Sequence, residues 1–490
     1  MSKLSWQPSN NSLATMAEER KYANEHEQMK RRPSHDSPSS TEALYIMDYH
    51  PVILAAGTGS RMNDLTANTP KALLTVGNKP MIWYSINMCQ KAGFQEAIVL
   101  VQESKRSDIK RKLEFYEFII KLDFVSVPDD SSGTADALRL IRNKVKYDLL
   151  IISSDLITTL PLHYFTNHFK AYDASFLMLL SPLPESFNEA PVPGVKVDKQ
   201  NEGDVIGLDK DLQRLVFHSN EADQGDFITF SHSFLTQCPF ISLRTDMTDC
   251  HLYIMKKWIF EFLLDRPKIT TLKGELVPYI VKKQFSKNKS KKDVPSEGLS
   301  KKRDIYSYIP KSFLAEAYQL TLSNKVSPTY HEEIHCYVYI QEKGFCVRTN
   351  TLANYAEANR QILKHFPELM PPGTLSKITA GKSSKIGDES LLDGSVSLGK
   401  NVSITQSVIG AYCKIYDKVK ITNSVILDHT EIGEGSIIDG CIICDSVYIG
   451  ERCDLKDSIV GSQEKIEANT KLTHESVDTQ MMKEKANWFY

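Results

Sequence analysis

Residues 49–80 read YHPVILAAGTGSRMNDLTANTPKALLTVGNKP. The apolar start of this stretch predicts a buried strand, which ends at Gly57 and Gly59, where the backbone can turn sharply and approach a ligand closely. Amide groups in such a turn can face an anion, and Arg61 and Lys71 supply positive charge nearby. The stretch therefore predicts a loop that holds phosphates. The plainer alternative is a tight connection between a strand and a helix.

The spacing of these residues is more specific than the two glycines alone. Leu-Ala-Ala-Gly-x-Gly-x-Arg-Met, then Pro-Lys, then Gly-x-Lys-Pro, resembles the opening of the sugar-phosphate nucleotidyltransferases, which join a nucleoside triphosphate to a sugar 1-phosphate. The resemblance implies that the glycine loop wraps the phosphates, while the arginine and the lysine stabilise the charge of the displacement. These roles fall on Gly57, Gly59, Arg61 and Lys71.

Composition limits the class of protein. The chain has 490 residues, of which 41% are hydrophobic and 24% charged, and this predicts two domains with tails. The formal net charge of −2 argues against a general nucleic-acid binder, so no direct contact with nucleic acid is expected. The nine cysteines include one Cys-x-x-Cys, at Cys441 and Cys444, without a second such pair. We therefore expect neither a zinc site nor any other metal or cofactor.

The amino-terminal region, residues 1–45, is predominantly polar. It lacks the apolar core of a secretory signal, and no apolar run in the chain approaches the ~18 residues of a membrane span. We therefore expect an intracellular, reducing compartment, the cytosol. Residues 1–45 have too few apolar side chains to offset the entropy of ordering, which predicts a disordered tail with a candidate short helix at 13–32.

From Asp48 onward, predicted strands alternate with predicted helices. This order is typical of a parallel sheet with crossover helices, and ligands of such sheets bind at the carboxyl ends of the strands. We therefore predict an α/β domain over residues 46–370, with a mostly parallel sheet and flanking helices. The predicted strands are 52–56, 96–101, 123–127 and 148–153, and the predicted helices are 81–92, 107–119 and 134–141.

Two further candidate site elements follow strands of this sheet. Gly133 and Thr134 resemble the Gly-Thr-Ala loop that holds the nucleobase in nucleotidyltransferases, and Asp155 occupies the place of a magnesium-binding aspartate. The plainer alternatives are a helix start for the first element and a helix N-cap for the second. The expected pocket thus comprises Gly57, Gly59, Arg61, Lys71, Gly133, Thr134 and Asp155, and no catalytic residue is assigned.

The half of the pocket that would hold a sugar phosphate looks lost. Active nucleotidyltransferases usually carry a glycine where this chain has Ser154, and a Glu-Lys-Pro element that occurs nowhere here. The corresponding stretch, residues 203–218, offers no convincing substitute. The candidates for a second metal ligand are Asp246 and Asp249, and the plainer alternative is that both only shape a turn. Transfer of a phosphoryl group needs both reactants in line and a metal to balance charge, so we expect no reaction.

Between the two halves of the chain, residues 285–303 form a basic loop with few apolar side chains. A solvated surface loop is the default interpretation, and contact with an acidic partner is the alternative. Residues 333–340 and 344–348 then predict a hairpin, and residues 351–365 a helix. Pro367 and the Pro-Pro-Gly at 371–373 mark a domain boundary.

The last third of the chain holds a repeat of aliphatic residues at steps of six and five, which returns after 17 residues. The repeating residues are Ile386, Leu392, Leu398, Ile404, Ile409, Ile415, Ile421, Ile426, Ile432, Ile438, Ile443, Ile449, Leu455, Val460, Ile466 and Leu472. A coil with three flat sides and one tighter corner explains these steps. The fold predicted for residues 371–475 is therefore a parallel β-helix, and such hexapeptide repeats resemble the left-handed type. Residues 476–490 are expected to form a cap or a tail.

Small residues accompany the repeat. Glycine follows the aliphatic residue at several positions, where we expect tight corners to require it, and Ser or Cys two residues before one aliphatic column should fit a crowded interior. Acyltransferases use the same kind of prism with a catalytic histidine at a projecting loop. The coils here carry no such insertion, so we interpret His429 as a solvated corner residue and Cys441 and Cys444 as an interior and a flanking residue.

Together the two modules resemble the gamma-subunit family of eukaryotic translation initiation factor 2B. The resemblance covers residues 46–475, with local matches at 243–253 (LRTDMTDCHLY) and 346–360 (CVRTNTLANYAEANR). It implies a non-catalytic regulatory and scaffold subunit of the guanine-nucleotide exchange factor for initiation factor 2, which supports GDP-to-GTP exchange by an epsilon subunit. The implied partners are epsilon, in a heterodimer, then alpha, beta and delta, in an assembly with two copies of each, and initiation factor 2 as the substrate.

Two alternatives stay open at this point. One is an active sugar-1-phosphate nucleotidyltransferase, similar to mannose-1-phosphate guanylyltransferase, and the other is a scaffold unrelated to translation. We also expect one face of the coils to be covered by a module of the same kind, because a stack of parallel coils leaves open edges.

Overall fold

The computed structural model describes residues 48–67, 69–129, 133–182, 193–194, 203–211, 213–220, 228–230, 232–286, 303–310, 334–370, 384–387 and 389–477. These residues belong to one compact unit. Four predictions lie outside them: the polar tail at 1–45, most of the basic loop at 285–303, the Pro-Pro-Gly boundary at 371–373 and most of the carboxy-terminal cap at 476–490.

In the described part of the chain, fourteen strands precede the repeat. They are β1 (Tyr49–Ala55), β2 (Thr75–Val76), β3 (Lys79–Pro80), β4 (Glu96–Gln102), β5 (Lys121–Val127), β6 (Asp148–Ser153), β7 (Leu156–Thr158), β8 (Phe176–Pro182), β9 (Asp204–Leu208), β10 (Leu215–Asn220), β11 (Ser242–Arg244), β12 (Met247–Met255), β13 (Cys336–Ile340) and β14 (Cys346–Arg348).

Ten α-helices lie among these strands within the described ranges. They are α1 (Asn63–Thr66), α2 (Met81–Lys91), α3 (Arg106–Leu113), α4 (Thr134–Arg139), α5 (Leu162–Ala171), α6 (His232–Gln237), α7 (Lys257–Leu264), α8 (Val277–Lys283), α9 (Leu352–Ile362) and α10 (Phe366–Leu369). Short 3₁₀ turns at Ser60–Met62, Lys71–Leu73 and Ile305–Tyr308 and a π turn at Leu272–Leu276 complete the description. None of the helices in the described part of the chain is long and apolar enough to cross a bilayer.

The central sheet has seven strands in the order β13-β8-β12-β6-β1-β4-β5. All neighbours are parallel except β12, which runs antiparallel to both β6 and β8. Strand β1 is buried along its whole length because it lies in the middle of the sheet with a hydrophobic cluster on each face. A continuous apolar run suits such a strand. The predicted α/β fold with a mostly parallel sheet is confirmed.

Two local predictions for this domain are wrong. The predicted hairpin does not form, because β13 joins the edge of the main sheet beside β8 and β14 pairs instead with β7. The predicted helix at 107–119 ends at Leu113. The chain leaves the helix there, and Tyr116 and Phe118 pack beside the hydrophobic clusters of the domain.

The repeat forms three faces of stacked parallel strands. Face A consists of Lys385–Ile386, Ser403–Thr405, Lys420–Thr422, Ile437–Asp439, Asp454–Lys456 and Lys471–Thr473. Face B consists of Leu391–Leu392, Val408–Ile409, Val425–Ile426, Ile442–Ile443, Ile459–Val460 and Ser476–Val477. Face C consists of Ser397–Leu398, Lys414–Ile415, Glu431–Ile432, Tyr448–Ile449 and Lys465–Ile466. Successive coils pair at the 17-residue offset, as with Ile409 and Ile426, and the predicted parallel β-helix is confirmed.

The glycines that follow the aliphatic residues of the repeat are not required by a left-handed backbone at tight corners, as we had expected. None of them has a positive φ, and the positive φ values of the coils fall on other residues, among them Asn401, Tyr412 and His429. A Cβ atom on Gly433 would instead lie 2.6 Å from the carbonyl carbon of Gly450 in the next coil. Close stacking of the coils therefore excludes a side chain there. His429 is exposed, as predicted, and stacks on Tyr412.

The small interior residues link the coils by hydrogen bonds. The Ser407 hydroxyl donates to the Thr405 carbonyl at 2.7 Å and accepts from the Ser424 amide of the next coil at 3.1 Å. The Ser424 hydroxyl repeats both contacts one coil further along, with the Thr422 carbonyl and the Cys441 amide. Each of these two serines thus satisfies buried backbone groups that a larger apolar residue would leave without a partner.

Face B packs against the chain's own first domain. Its strands carry a second, outward-facing aliphatic column that is buried in one cluster with α9 and the segment around β2; this column is Leu391, Val408, Val425, Ile442 and Ile459. The Asn78 side chain also donates to the Ile409 carbonyl at 2.9 Å. Face B is thus covered within the chain, and the expected cover of a coil face by a similar module stays a prediction for the other faces.

Candidate functional site

A cavity of about 920 Å³ opens beside the loop that follows β1. Five of the predicted pocket residues line it together: Gly57, Gly59, Arg61, Lys71 and Thr134. The cavity lies at the carboxyl ends of parallel strands, where ligands bind in sheets of this kind. These predicted residues thus line one cavity, together with other residues that the sequence did not single out.

The two loop glycines have different roles. Gly59 has a φ of 80°, and a Cβ atom there would lie 2.7 Å from the Thr66 side chain and 3.2 Å from that of Lys71. Gly59 is therefore required by both the turn and the packing. A Cβ atom on Gly57 would meet nothing within 4 Å. Gly57 thus leaves open space at the cavity wall, where a ligand could approach the backbone.

Gly133 and Thr134 form the start of α4, and Thr134 lines the cavity. A Cβ atom on Gly133 would lie 1.9 Å from the Thr270 carbonyl oxygen, so no side chain fits at this position. The Thr134 hydroxyl accepts from the Leu272 amide at 2.9 Å. The helix start proposed as the plainer interpretation is present, while contact with a nucleobase stays a prediction.

Asp155 lies buried between two cationic side chains. Lys71 Nζ forms an ion pair with its Oδ2, and Arg348 Nε lies 3.2 Å from its Oδ1. The Ser153 hydroxyl donates to the same Oδ1. The Asp155 carbonyl accepts from the amide and the hydroxyl of Thr349, at 2.8 and 2.9 Å. Strand β7 follows Asp155 directly, so the helix N-cap interpretation of this residue is wrong.

The two cations determine the charge state of Asp155. Burial by itself raises the pKa of this carboxyl, but the Arg348 guanidinium and then the Lys71 ammonium lower it well below its usual range. Burial lowers the pKa of Lys71, and the Asp155 carboxylate opposes that shift. Burial also acts to lower the pKa of Arg348, but the same carboxylate outweighs it and raises that pKa.

The residues at this position do not fit the metal ion that the nucleotidyltransferase resemblance implies. Both oxygens of Asp155 already face a cation. An ion such as Mg²⁺ binds about 2.1 Å from a carboxylate oxygen, which brings it close to both Lys71 and Arg348. Two unit charges of the same sign at 4 Å repel by roughly 4 kcal/mol near a protein surface, and a divalent ion doubles that for each cation.

The candidates for a second metal ligand fit no better. Asp246 is exposed, and Arg244 binds it with two nitrogens, at 2.7 and 2.6 Å. Asp249 is buried, but it accepts hydrogen bonds from the His251 amide at 2.8 Å and from the Tyr253 hydroxyl. Neither carboxylate lies open to a metal ion beside Asp155.

The far wall of the cavity contains polar residues that the sequence reading missed. Lys273 Nζ lies 2.7 Å from Asp204 Oδ1, and the Asp249 amide donates to Asp204 Oδ2 at 3.2 Å. Both ring nitrogens of His218 are buried without a hydrogen-bond partner among the described residues, and burial lowers the pKa of this imidazole. Asp204 and His218 lie in residues 203–218, where the sequence offered no substitute for the Glu-Lys-Pro element. Arg348 lies in the 346–360 segment that carries part of the family resemblance.

The buried charge of Asp155 should contribute to stability in a pH-dependent way. We predict that Asp155→Asn lowers the free energy of unfolding by about 3–5 kcal/mol at pH 7, because two buried cations lose their partner. A carboxyl whose folded pKa is depressed stabilises above its unfolded pKa of about 3.9 and loses that contribution below it. The loss should therefore stay constant from pH 7 to about 5 and shrink below about 4, as measured by urea unfolding.

The matched control is Asp246→Asn, at an exposed carboxylate that also pairs with an arginine. An exposed pair contributes only about 0–1 kcal/mol, so this variant should unfold almost like the wild type. Equal stability of the Asp155 and Asp246 variants at pH 7 would contradict the ion group described above.

Comparison with known proteins relates both modules to established families. The Nucleotidyl transferase family model matches residues 50–191, and the model of the EIF2B subunit epsilon LbH domain matches residues 374–472. The second match agrees with the left-handed sense expected for the coils.

Three relatives that match about three quarters of the chain share one name. "Translation initiation factor eIF2B subunit gamma" of Schizosaccharomyces pombe is 29% identical over 72% of this chain and 73% of that protein. The protein of the same name in Dictyostelium discoideum is 26% identical over 74% of this chain and 88% of its own length. A "Mannose-1-phosphate guanyltransferase" of Pichia angusta is 30% identical, but over only 34% of this chain and 42% of its own. The chain is therefore similar to eIF2B gamma subunits over about three quarters of its length.

Proposed function

We propose that this chain is a non-catalytic regulatory and scaffold subunit of the exchange factor that reloads initiation factor 2 with GTP. The observation that carries the non-catalytic part is the buried ion group, in which Lys71 and Arg348 occupy the carboxylate of Asp155. The gamma-subunit relatives, which match about three quarters of this chain, support the exchange-factor part.

The ion group bears on catalysis because nucleotidyl transfer needs two conditions. The attacking sugar phosphate must lie in line with the α-phosphate of the nucleotide, and a metal must balance the charge that develops. A carboxylate already neutralised by two fixed cations offers little attraction to Mg²⁺. The far wall, where the sugar phosphate would lie, carries the Lys273–Asp204 pair instead of the family's Glu-Lys-Pro element.

An active sugar-1-phosphate nucleotidyltransferase is the second candidate function. The open space at Gly57 and the size of the cavity favour it, as does the partial match to the guanyltransferase of Pichia angusta. The first proposal explains more, because the gamma subunits match about three quarters of the chain and a family model of an eIF2B subunit matches the coils, whereas the guanyltransferase matches about a third of the chain.

The cavity is proposed to retain part of a nucleotide site. Gly57, Gly59, Arg61 and Lys71 would face the phosphates, and Gly133 and Thr134 the base, while Asp155 anchors the cations. Except for Gly133 and Asp155, these residues line the same cavity. The site would serve binding, or would be a remnant of an ancestral enzyme, without turnover.

The proposed partners are an epsilon-type subunit in a one-to-one heterodimer, then alpha, beta and delta subunits in a larger cytosolic assembly, with initiation factor 2 as the substrate. Face B is covered within the chain, so a partner of the coils would have to use face A, face C or a corner. Tyr416 and Tyr448, both exposed on or beside face C, support a contact there, since tyrosines are common anchors of interfaces.

The catalytic question has a direct test. We expect the purified chain to release no pyrophosphate above background from any nucleoside triphosphate in the presence of Mg²⁺ and mannose-, glucose- or N-acetylglucosamine 1-phosphate. A mannose-1-phosphate guanyltransferase assayed in parallel serves as the positive control. Steady turnover with any of these substrate pairs would establish the second candidate function instead.

The partner proposal is tested by co-expression with an epsilon-type subunit. We expect size-exclusion chromatography with light scattering to find a one-to-one complex, and the chain alone to self-associate. The double variant Tyr416→Asp, Tyr448→Asp should weaken the complex at least tenfold, because each substitution puts a charge into an apolar contact. Tyr164→Asp, at a tyrosine of α5 that is 55% exposed, is the matched control and should leave the complex intact. A monomer that does not bind the epsilon-type subunit would refute this assignment.

A further inference from the structure

We propose that the cavity binds the phosphates of a guanine nucleotide without a divalent metal ion, with Arg348 in the place that nucleotidyltransferases give to the metal. This inference rests on the proposed nucleotide site and specifies the form in which the ligand binds. It starts from the disagreement between the residues around Asp155 and the metal site that the fold resemblance implies.

The charge at the cavity wall is positive without a metal ion. Arg61, Lys71, Lys273 and Arg348 line the cavity together with Asp204 and Asp249, and Asp155 is the carboxylate that faces Lys71 and Arg348. Four cations against three carboxylates leave an excess of one positive charge. A nucleotide that enters this cavity therefore meets part of the charge compensation that a metal ion would otherwise supply.

The chemistry of Arg348 suits this role better than a second lysine would. Its contact with Asp155 uses Nε, at 3.2 Å, and the described residues provide no hydrogen-bond partner for its two Nη groups. A guanidinium can therefore bind the carboxylate along one edge while its remaining N–H groups donate to phosphate oxygens. Its side chain is 19% exposed, so part of it remains accessible.

The position of Arg348 is fixed before any ligand arrives. It is the last residue of β14, which pairs with β7, and the next residue, Thr349, donates to the Asp155 carbonyl from both its amide and its hydroxyl. Thr351 then caps α9 by accepting from the Asn354 amide at 3.2 Å. A cation held from both sides loses little conformational entropy when it binds an anion.

Magnesium should oppose binding at such a site. In solution Mg²⁺ binds the phosphates of a nucleotide and reduces their negative charge, and Lys71 and Arg348 repel the ion that the nucleotide brings with it. The metal-free nucleotide is therefore the preferred ligand, which is the reverse of what a metal-dependent transferase requires.

The experiment is a titration of GDP and of GTP into the full-length chain by calorimetry, once with EDTA and once with excess Mg²⁺. We expect binding in EDTA that weakens at least threefold in Mg²⁺. Arg348→Met should lose about tenfold or more in EDTA, as expected when a charged hydrogen bond is removed. Arg348→Lys, which keeps the charge without the fork, should fall between the two.

Two further variants keep the result interpretable. Arg61→Ala, at an exposed residue that lines the same cavity, tests the same charge requirement, and it should weaken binding in EDTA. Arg244→Met removes an arginine whose ion pair with Asp246 lies outside the cavity wall, and it should bind like the wild type.

Nucleotide binding by the wild type that requires Mg²⁺ would overturn the inference, as would an absence of binding under both conditions. Equal affinities of the wild type and Arg348→Met in EDTA would also overturn it. None of these outcomes bears on the absence of pyrophosphate release or on the heterodimer, so a failure of this inference is distinguishable from a failure of the proposed function.

Discussion

The buried carboxylate of Asp155, held between Lys71 and Arg348, joins three parts of the chain that are far apart in sequence. Lys71 comes from the segment after the glycine loop, Asp155 from the end of β6, and Arg348 from the end of β14. A charge buried this deeply is stable only if its partners are held in place. The loop, the end of the central sheet and the segment that leads to the coils are thus fixed relative to one another by this one group.

The same segment connects the ion group to the second module. Residues 346–362 contain Arg348, the cap of α9 and the helix itself, whose buried side chains share a cluster with the outward aliphatic column of face B. The Gly-x-Lys-Pro element also serves this junction. Gly77 leaves room for the Ile362 side chain, and its amide donates to the Asn359 side chain at 3.1 Å. Residues that resemble parts of a transferase site here help to hold the coils against the sheet.

Periodic features were predictable from the sequence, and long-range pairings were not. The apolar run of β1 and the 17-residue repeat can be recognised from neighbouring residues alone, because burial along a strand and stacking of coils leave a regular pattern in the sequence. Arg348, one of the two cationic partners of Asp155, lies 193 residues away in the sequence, and no local pattern predicts this contact. The predicted hairpin failed for the same reason, since its two strands find different partners across the fold.

The sequence also contains a pattern that predicts which face of the coils is covered. Only face B carries two adjacent aliphatic residues in coil after coil, such as Val408-Ile409 and Ile442-Ile443, whereas faces A and C place charged or polar residues beside most inward ones. A strand that is apolar on both sides is covered on both sides, so this pattern could have identified the docked face. The far wall of the cavity gave no comparable signal, because Asp204, His218 and Lys273 meet only after β9 and β10 have paired and α8 has approached.

The central claim is that Lys71 and Arg348 have taken the place of a metal ion at Asp155. Electron paramagnetic resonance of Mn²⁺ titrated into the nucleotide-free chain tests it most directly, because protein-bound Mn²⁺ loses the signal of the free ion. The account predicts that the wild type leaves the free signal unchanged, whereas Arg348→Met, which uncovers one oxygen of Asp155, binds measurably more Mn²⁺. A saturable site for one Mn²⁺ in the wild type that disappears in Asp155→Asn would contradict it.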